Sequence, residues 1–169
     1  MIRLFDIFFA GLAIICLSPL LLLVVVTLLL TGERKVFYLQ QRVGLGGKSF
    51  FLLKFATMLE NSPNLGSGTI TIRNDYRVLP IGRVLRKTKV NELPQLINVL
   101  TGDMSLIGPR PLTRDNYDFY DSEIKDIIAQ VRPGLSGIGS ILFHDEESVI
   151  SDKENPREFY KINIAPFKG

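Results

Sequence analysis

The most prominent pattern in the sequence is a long apolar run near its beginning. Residues 7–30 are 24 consecutive positions without a charged side chain. At about 1.5 Å per residue, a straight helix of this length can cross a hydrocarbon core of about 30 Å. Ser18 and Pro19 lie in the middle of the run, where a proline removes a helical hydrogen bond and kinks the helix. Basic residues flank both ends, so the charge pattern allows both ends on the cytoplasmic side.

A re-entrant membrane helix broken at Ser18 and Pro19 satisfies both observations. Its two half-helices would occupy residues 1–31, and the Ser18 hydroxyl is a candidate partner for backbone groups freed at the bend. The alternative is a proline-kinked helix that spans the bilayer. A signal peptide is disfavoured, because the run is too long and no small-residue cleavage site follows it. We therefore predict a membrane segment at residues 1–31 and a cytoplasmic domain at residues 32–169.

Short segments rich in β-branched and aromatic residues follow the apolar run. Residues 35–44 (KVFYLQQRVG) and 49–55 (SFFLLKF) predict two strands, and the glycines between them predict a turn. An amphipathic basic helix comes later. Its apolar face is formed by Ile81, Val84 and Leu85. Its basic face is formed by Arg83, Arg86 and Lys87. Such a helix is suited to lie flat on a membrane; the alternative is a domain helix with a solvated basic face.

A second helix is predicted directly after the basic one. Its apolar face has the helical spacing i, i+3, i+4, i+7, at Leu93, Leu96, Ile97 and Leu100. Asn91 is a favoured N-cap residue, Pro94 is tolerated in the first turn, and Gly102 favours termination. The start of this helix offers backbone N–H groups and the Glu92 carboxylate beside basic residues such as Arg86. The pattern therefore predicts a phosphate site there.

The end of the chain predicts two more helices. Ser122 is expected to cap the first, whose core-facing positions are Ile124, Ile127, Ile128 and Val131. Pro156 is expected at the first position of the second. The lone His144 stands beside acidic residues and is interpreted as a surface residue. The predicted fold class is irregular α/β, with the membrane helix, amphipathic surface helices and a small β-sheet.

The charge distribution is asymmetric and changes the picture of the partners. Residues 1–114 contain 14 Lys or Arg against 6 Asp or Glu, whereas residues 115–169 contain 6 against 11. The basic part adjoins the apolar run, so anionic lipids and phosphate-bearing ligands are natural partners. A nucleic-acid binder is disfavoured because it needs no membrane segment. The single cysteine, Cys16, excludes an internal disulfide.

Residues 82–111 carry a specific resemblance to a known family. They read GRVLRKTKVNELPQLINVLTGDMSLIGPRP, which resembles the signature of the bacterial sugar transferases, the monotopic phosphoglycosyl transferases. Further similar elements are the Q-x-R-x-G around Arg42, K-F-x-T-M from Lys54, N-D-x-R at residues 74–77 and R-P-G-L-S-G at residues 132–137. The resemblance covers nearly the whole chain, and the family usually continues beyond the position of Gly169, so truncation of the domain at its C-terminus is expected.

The resemblance implies an enzyme at the cytoplasmic face of the bacterial inner membrane. Members of the family move a sugar 1-phosphate from a UDP-sugar to undecaprenyl phosphate with Mg²⁺, which begins glycoconjugate and exopolysaccharide synthesis. The implied partners are therefore a UDP-sugar, undecaprenyl phosphate and membrane lipid. No nucleic-acid partner is expected. A homodimer is one assembly to test. One alternative is a non-catalytic protein of the same fold, either a membrane scaffold or a protein that binds prenyl phosphate or nucleotide sugars. Another is a membrane-anchored regulator that senses nucleotide sugars.

The resemblance also implies a set of site residues. Glu92 and Asn91 take the catalytic positions and, with Mg²⁺, the metal-ligand positions. The implied phosphate-binding residues are Arg86, Arg110, Arg42, Lys54 and Asp103. The chain departs from the family where Asn91 replaces the nucleophilic aspartate, because an amide is a poor nucleophile and a poor Mg²⁺ ligand. It departs again at Ala56 and at residues 138–141, where a basic contact and an aromatic contact of the family are absent.

Overall fold

The computed structural model describes residues 1–65, 71, 74–137, 149 and 156–163. Its helices are α1 (Ile2–Leu30), α2 (Pro80–Lys87), α3 (Gln95–Thr101), α4 (Arg114–Asp118), α5 (Ser122–Ala129) and α6 (Pro156–Asn163). Its strands are β1 (Phe37–Val43), β2 (Ser49–Phe55), β3 (Ser105–Ile107) and β4 (Gly134–Ser136). Short 3-10 turns lie at Leu45–Gly47, Ser62–Asn64 and Val90–Glu92. The irregular mixture of helices and small sheets confirms the coarse fold class, with two two-stranded sheets among these residues.

The predicted apolar helix is confirmed as α1, which is long and apolar enough to cross a membrane. Its helical backbone continues through Pro19, so Ser18 and Pro19 do not interrupt the secondary structure. Because Pro19 has no N–H, the carbonyl of Ile15 lacks its usual helical donor. The Ser18 hydroxyl donates to that carbonyl at 2.8 Å, as the sequence suggested. The re-entrant topology stays a prediction.

One stripe of α1 packs along the rest of the protein. Near the N-terminus, Ala10 is completely buried in a cluster with Leu52, Leu96, Val99 and Met104. Toward the C-terminus, Val24 and Leu28 are buried against Phe55 and Leu85. The other faces of α1 expose large apolar side chains such as Phe8 and Leu22, each 64% exposed. Both halves of the helix therefore contact the same folded domain while most of its surface remains apolar and uncovered.

The two predicted strands form an antiparallel hairpin. β1 pairs with β2 from Phe37 opposite Phe55 to Val43 opposite Ser49. Gly46 and Gly47 have positive φ angles of 68° and 69° in the connection, a conformation that a side chain disfavours. The sequence prediction of strand, glycine turn and strand is confirmed.

A second, smaller sheet joins two loops that are far apart in the sequence. β3 and β4 are parallel, with Ser105 opposite Gly134 and Ile107 opposite Ser136. The Gly134 N–H donates to the carbonyl of Pro109 at 2.8 Å. This pairing places the loop containing Arg110 beside the loop that begins at Pro133.

The acidic segment contains two corrections. α5 forms as predicted, but its N-cap is Asp121, and no side chain caps it, so the prediction for Ser122 was wrong. Ile124, Ile127 and Val131 are 42%, 61% and 47% exposed, so these three are not core residues. Ile128 alone of the four packs against the buried cluster of Val43, Leu112, Tyr117 and Tyr120. α6 begins at Pro156, as predicted, whereas His144 and residues 138–141 lie outside the described residues.

Candidate functional site

One face of the β1–β2 hairpin supplies two cations to a cleft. In the strand register Tyr38 is opposite Lys54 and Arg42 is opposite Phe50, so Lys54 and Arg42 share a face. Arg42 is held by two hydrogen bonds, from Nη1 to the carbonyl of Pro111 at 3.0 Å and from Nη2 to Gln40 Oε1 at 2.6 Å. The hairpin thus fixes the positions of both cationic groups relative to the loop at Pro111.

Glu92 enters the same cleft from the turn before α3. Its carboxylate accepts a hydrogen bond from Lys54 Nζ at 3.2 Å, and both side chains are mostly buried, with 25% and 17% exposed. Burial alone would raise the pKa of Glu92, but the charges of Lys54, Arg110 and Lys89 and the hydrogen bond hold the pKa below its usual value. Glu92 is therefore a carboxylate at neutral pH and a weak base.

Lys54 has the opposite balance of effects. Burial lowers its pKa to about 8; the charge of Glu92 opposes that shift, and the charges of Arg42 and Arg110 add to it. A phosphate group in the cleft would favour the protonated form and raise this pKa. Binding of an anion therefore increases the fraction of Lys54 that is protonated and positively charged.

Arg110 completes the cleft from the loop after β3. The cleft is open to solvent and is lined by Arg42, Leu52, Lys54, Glu92, Gln95, Arg110, Pro111, Gly134 and Leu135. Its three cations face one carboxylate, so the lining is net positive. A guanidinium fork suits a pair of phosphate oxygens. The arrangement fits a doubly or triply charged phosphate ligand.

Asn91 lies next to Glu92, but it does not cap α3 as predicted. It is 7% exposed, and its Oδ1 is buried with no hydrogen-bond partner among the described residues. α3 begins only at Gln95, with Pro94 at the cap position and no side-chain cap, so the prediction that Asn91 caps this helix was wrong. Lys89, which has a left-handed φ of 60°, turns the chain from α2 into the 3-10 turn that carries Asn91.

Comparison with known proteins shows the family of this chain. The bacterial sugar transferase family profile matches residues 1–163. The chain belongs to the bacterial sugar transferase family. The UDP-glucose:undecaprenyl-phosphate glucose-1-phosphate transferase of Caulobacter vibrioides is 41% identical over 143 residues, 82% of this chain and 52% of the relative. The exopolysaccharide production protein ExoY of Sinorhizobium fredii is 39% identical over 153 residues, 82% of this chain and 67% of the relative.

A further relative in this sugar transferase family carries a different sugar in its name. The UDP-N-acetylgalactosamine-undecaprenyl-phosphate N-acetylgalactosaminephosphotransferase of Aeromonas hydrophila is 43% identical over 139 residues, 81% of this chain and 33% of the relative. This chain thus spans between one third and two thirds of the length of these three proteins. The shared segment is the one that contains the cleft.

Two residues implied by the sugar transferase signature lie outside the cleft lining. The Arg86 guanidinium approaches Met58 Sδ, with Nη1 at 3.9 Å. Asp103 accepts a hydrogen bond from Thr101 Oγ1 at 2.8 Å, at the C-terminal end of α3. Glu92 stands before the opposite end of that helix. The structure therefore assembles Arg42, Lys54, Glu92 and Arg110 and places Arg86 and Asp103 elsewhere; the roles of all six stay predictions.

Sequence reasoning missed the anchors of α3. Arg3, in the first turn of α1, donates to the carbonyls of Val99 and Leu100 at the C-terminal end of α3. Asp6 is 5% exposed and accepts from the Ser105 hydroxyl at 2.9 Å. The Arg3 bonds join α1 to α3, the helix that follows Glu92, and the Asp6 bond joins α1 to β3. The partners of Arg3 and Asp6 are almost a hundred residues away in the sequence, and no local pattern reveals such contacts.

The cleft offers a carboxylate to a divalent metal. The described residues contain no group of three or more His, Cys, Asp or Glu side chains that could hold a metal ion. Mg²⁺ does not need one, because it is commonly held by one or two protein oxygens together with substrate phosphates and water. Glu92 supplies an ionised carboxylate to the cleft. Its neighbour Asn91 has a buried Oδ1 without a hydrogen-bond partner among the described residues, but Asn91 is not part of the cleft lining. The carboxylate of Glu92 fits Mg²⁺ carried in with a diphosphate.

Proposed function

We infer that this protein is a phosphoglycosyl transferase that moves a sugar 1-phosphate from a UDP-sugar to undecaprenyl phosphate. The observation that carries the inference is the cleft in which Arg42, Lys54 and Arg110 surround Glu92. The names of the relatives supply the two substrates. The reaction would take place at the cytoplasmic face of the bacterial inner membrane, as the first membrane step of polysaccharide synthesis.

The chemistry requires a lipid phosphate to displace UMP. An oxygen of undecaprenyl phosphate forms a bond with the β-phosphorus of the UDP-sugar, and the bond from that phosphorus to the bridging oxygen breaks. UMP leaves with the electron pair, and the lipid gains a diphosphate-linked sugar. Arg42, Lys54 and Arg110 would hold the phosphates and stabilise their charge in the transition state. Mg²⁺, held by Glu92, would supply further charge neutralisation.

Direct attack by the lipid phosphate suits this chain better than a covalent intermediate. The amide of Asn91 is a weak nucleophile. The lowered pKa of Glu92, caused by Lys54 and the nearby cations, makes its carboxylate a weak base and a poor nucleophile. A phosphate monoester is largely ionised at neutral pH, since its second pKa is near ~6, and it needs no base. Glu92 is accordingly proposed as a metal ligand and electrostatic partner.

The assay for this proposal is UMP release from several UDP-sugars by the purified protein in nanodiscs. UMP should appear only when undecaprenyl phosphate is present. A stoichiometric burst of UMP without the lipid would instead indicate a covalent intermediate. If no UDP-sugar is turned over by the wild type or by Asn91→Asp, while UDP-sugars still bind, the non-catalytic binding protein is the better reading; Asn91 is the observation that favours it.

Arg110→Lys should reduce turnover at limiting UDP-sugar by about tenfold or more, since a lost charged hydrogen bond costs about 1.5 kcal/mol or more. A lysine keeps the charge but cannot present two parallel N–H groups to a phosphate. The measurement is kcat/KM for the UDP-sugar. Arg114→Lys is the matched control, because Arg114 is an exposed residue paired with Asp118. Equal kcat/KM values for the two variants would remove Arg110 from the phosphate site.

UMP affinity, measured by calorimetry without divalent cations, should fall as the pH rises from 7 to 9. Below a pKa of about 8 the free protein carries a charged Lys54, and above it the charge is lost. An anion binds the protein better when Lys54 is charged, and the bound anion raises the pKa of Lys54. The affinity for UMP is therefore greatest below pH 8 and decreases above it. Lys54→Arg stays charged throughout this range and should bind UMP with little change. A parallel decrease in that variant would contradict the role of Lys54.

We also propose that α1 re-enters, with both of its ends on the cytoplasmic side. The packing of Ala10 and of Val24 and Leu28 against one domain supports this topology, as do the basic residues at both ends. Cysteines placed at positions 2 and 35 of a Cys16→Ser chain should both be protected from a membrane-impermeant thiol reagent added to the periplasm. Labelling of position 2 with protection of position 35 would establish a spanning helix instead.

A further inference from the structure

The outward side of the β1–β2 hairpin is an exposed apolar surface, here called the outer hairpin face. It consists of Phe37, Leu39, Phe51 and Leu53. Phe37, Leu39 and Phe51 are 48%, 56% and 61% exposed. Large contiguous apolar surfaces of this kind usually mark an interaction site.

The strand register places these residues together. Phe37 is opposite Phe55, Leu39 is opposite Leu53, and Gln41 is opposite Phe51. Successive strand residues point to opposite faces, so the alternate positions, with Arg42 and Lys54, face the cleft. One hairpin therefore presents a cationic site on one side and aromatic and aliphatic groups on the other.

The outer hairpin face is continuous with the surface of α1. The ring of Phe37 stacks on that of Phe55, with centroids 5.6 Å apart. Phe55 packs in turn against Val24 and Leu28 of α1. The apolar surface thus extends from the exposed sides of α1 across Phe37 and along the hairpin.

A contact between α3 and the edge of β2 that does not pair with β1 extends the outer hairpin face further. Asn98 of α3 bonds to the backbone of β2, accepting from the Leu53 N–H at 2.9 Å and donating to the Phe51 carbonyl at 2.8 Å. The neighbouring residue on α3, Ile97, is 45% exposed. The strand edge is consequently satisfied by a side chain, and an apolar residue stands beside it. At these two positions the backbone groups of β2 have partners, which suits this edge of β2 to lipid, where no water satisfies backbone groups.

The charges around the hairpin indicate what covers it. Residues 37–55 contain no Asp or Glu, and they contain Arg42, Lys48 and Lys54. Lys48 is exposed at the hairpin turn, beyond the apolar residues. A lysine at such a rim can reach anionic lipid headgroups while the apolar groups enter the acyl region. A second copy of the same surface would instead meet a like charge.

We propose that the outer hairpin face inserts into the headgroup–acyl boundary of the membrane, as a second lipid contact beside α1. The occupant of this face is anionic bilayer lipid. Because the cleft lies on the opposite side of the hairpin, the insertion fixes the distance between the cleft and the membrane surface. The proposal rests on the membrane attachment described above and not on the transfer reaction. It assigns a role to aromatic residues that the phosphate site does not use.

The test uses tryptophan, which the chain lacks. Phe51→Trp and Leu39→Trp, made separately, each create a single reporter in nanodiscs of phosphatidylethanolamine and phosphatidylglycerol. Brominated acyl chains should quench more than half of the emission of each variant, and aqueous iodide should quench little. Phe119→Trp, at a residue 47% exposed in the acidic segment, is the matched control. It should show the reverse pattern.

A fourth variant separates failure of this proposal from failure of membrane attachment. Leu22→Trp, at a residue of α1 that is 64% exposed, should be quenched by the brominated lipid if α1 is in the membrane. Quenching of Leu22→Trp alone would overturn the proposal while leaving the anchor intact. Shielding of Phe51→Trp and Leu39→Trp from both quenchers would also overturn it and indicate a protein contact, such as a homodimer, on this face.

Discussion

Glu92→Gln should lower UMP release by at least about a hundredfold, the scale of losing one preorganised charged group from a reaction site. The change conserves the shape of the side chain and removes its charge. Lys54 then loses the carboxylate that it bonds at 3.2 Å, and a metal ion loses its only anionic ligand from this turn. Expression and thermal unfolding should change little, because a partly exposed amide can still accept the lysine hydrogen bond.

The chain offers a matched control for this variant. Glu60 forms a salt bridge with Lys35, and both side chains are more than half exposed. Glu60→Gln therefore removes the same charge from a more exposed Lys–Glu pair outside the cleft, and it should retain turnover. Asn91→Asp should keep or raise activity, since it restores the acidic pair of the family. Retention of most turnover in Glu92→Gln would exclude this residue from the reaction.

Gly134→Ala should destabilise the folded protein by about 3 kcal/mol, at the upper end of overpacking costs. An added Cβ at Gly134 would lie 2.1 Å from the backbone nitrogen of Gly108 and 2.6 Å from the carbonyl oxygen of Ser136. Both obstacles are backbone atoms, so the methyl group fits only if β3 and β4 separate. Because Gly134 also lines the cleft, turnover should fall together with the thermal unfolding temperature.

Gly11→Ala is the matched control for the packing claim. An added Cβ at Gly11 meets nothing within 4 Å, and alanine favours a helix over glycine. This variant should be neutral or slightly more stable by circular dichroism during heating in detergent. An unfolding temperature of Gly134→Ala equal to that of the wild type would show that the two loops are not packed as described.

Local patterns sufficed for the elements with local causes. The glycines between two aromatic segments predicted the hairpin, and Gly102 ends α3 with a left-handed φ of 97°, as expected. The family-like motifs identified Arg42, Lys54, Glu92 and Arg110, which the fold brings into one cleft. In these cases the determining residues are adjacent in the sequence or belong to a recognisable signature.

Features that depend on distant contacts were not predictable in the same way. Asn91 has the chemistry of a cap, but Lys89 turns the chain so that the Asn91 side chain is buried before the helix begins. The spacing of Ile124 and Ile127 indicates a helical face, yet periodicity does not say whether any other element covers that face. The contacts of Arg3 and Asp6 with α3 and β3 require the whole fold. Only tertiary structure determines these three outcomes.

The most direct test of the central claim follows the β-phosphate of the donor. UDP-sugars labelled at the β-phosphorus should be supplied to the wild-type protein in nanodiscs that contain undecaprenyl phosphate. Transfer of a sugar 1-phosphate predicts that the label enters the lipid fraction in equal amount to the UMP released. Retention of the label in water-soluble UDP, or no labelled lipid from UDP-glucose, UDP-galactose or UDP-N-acetylgalactosamine, would contradict the account.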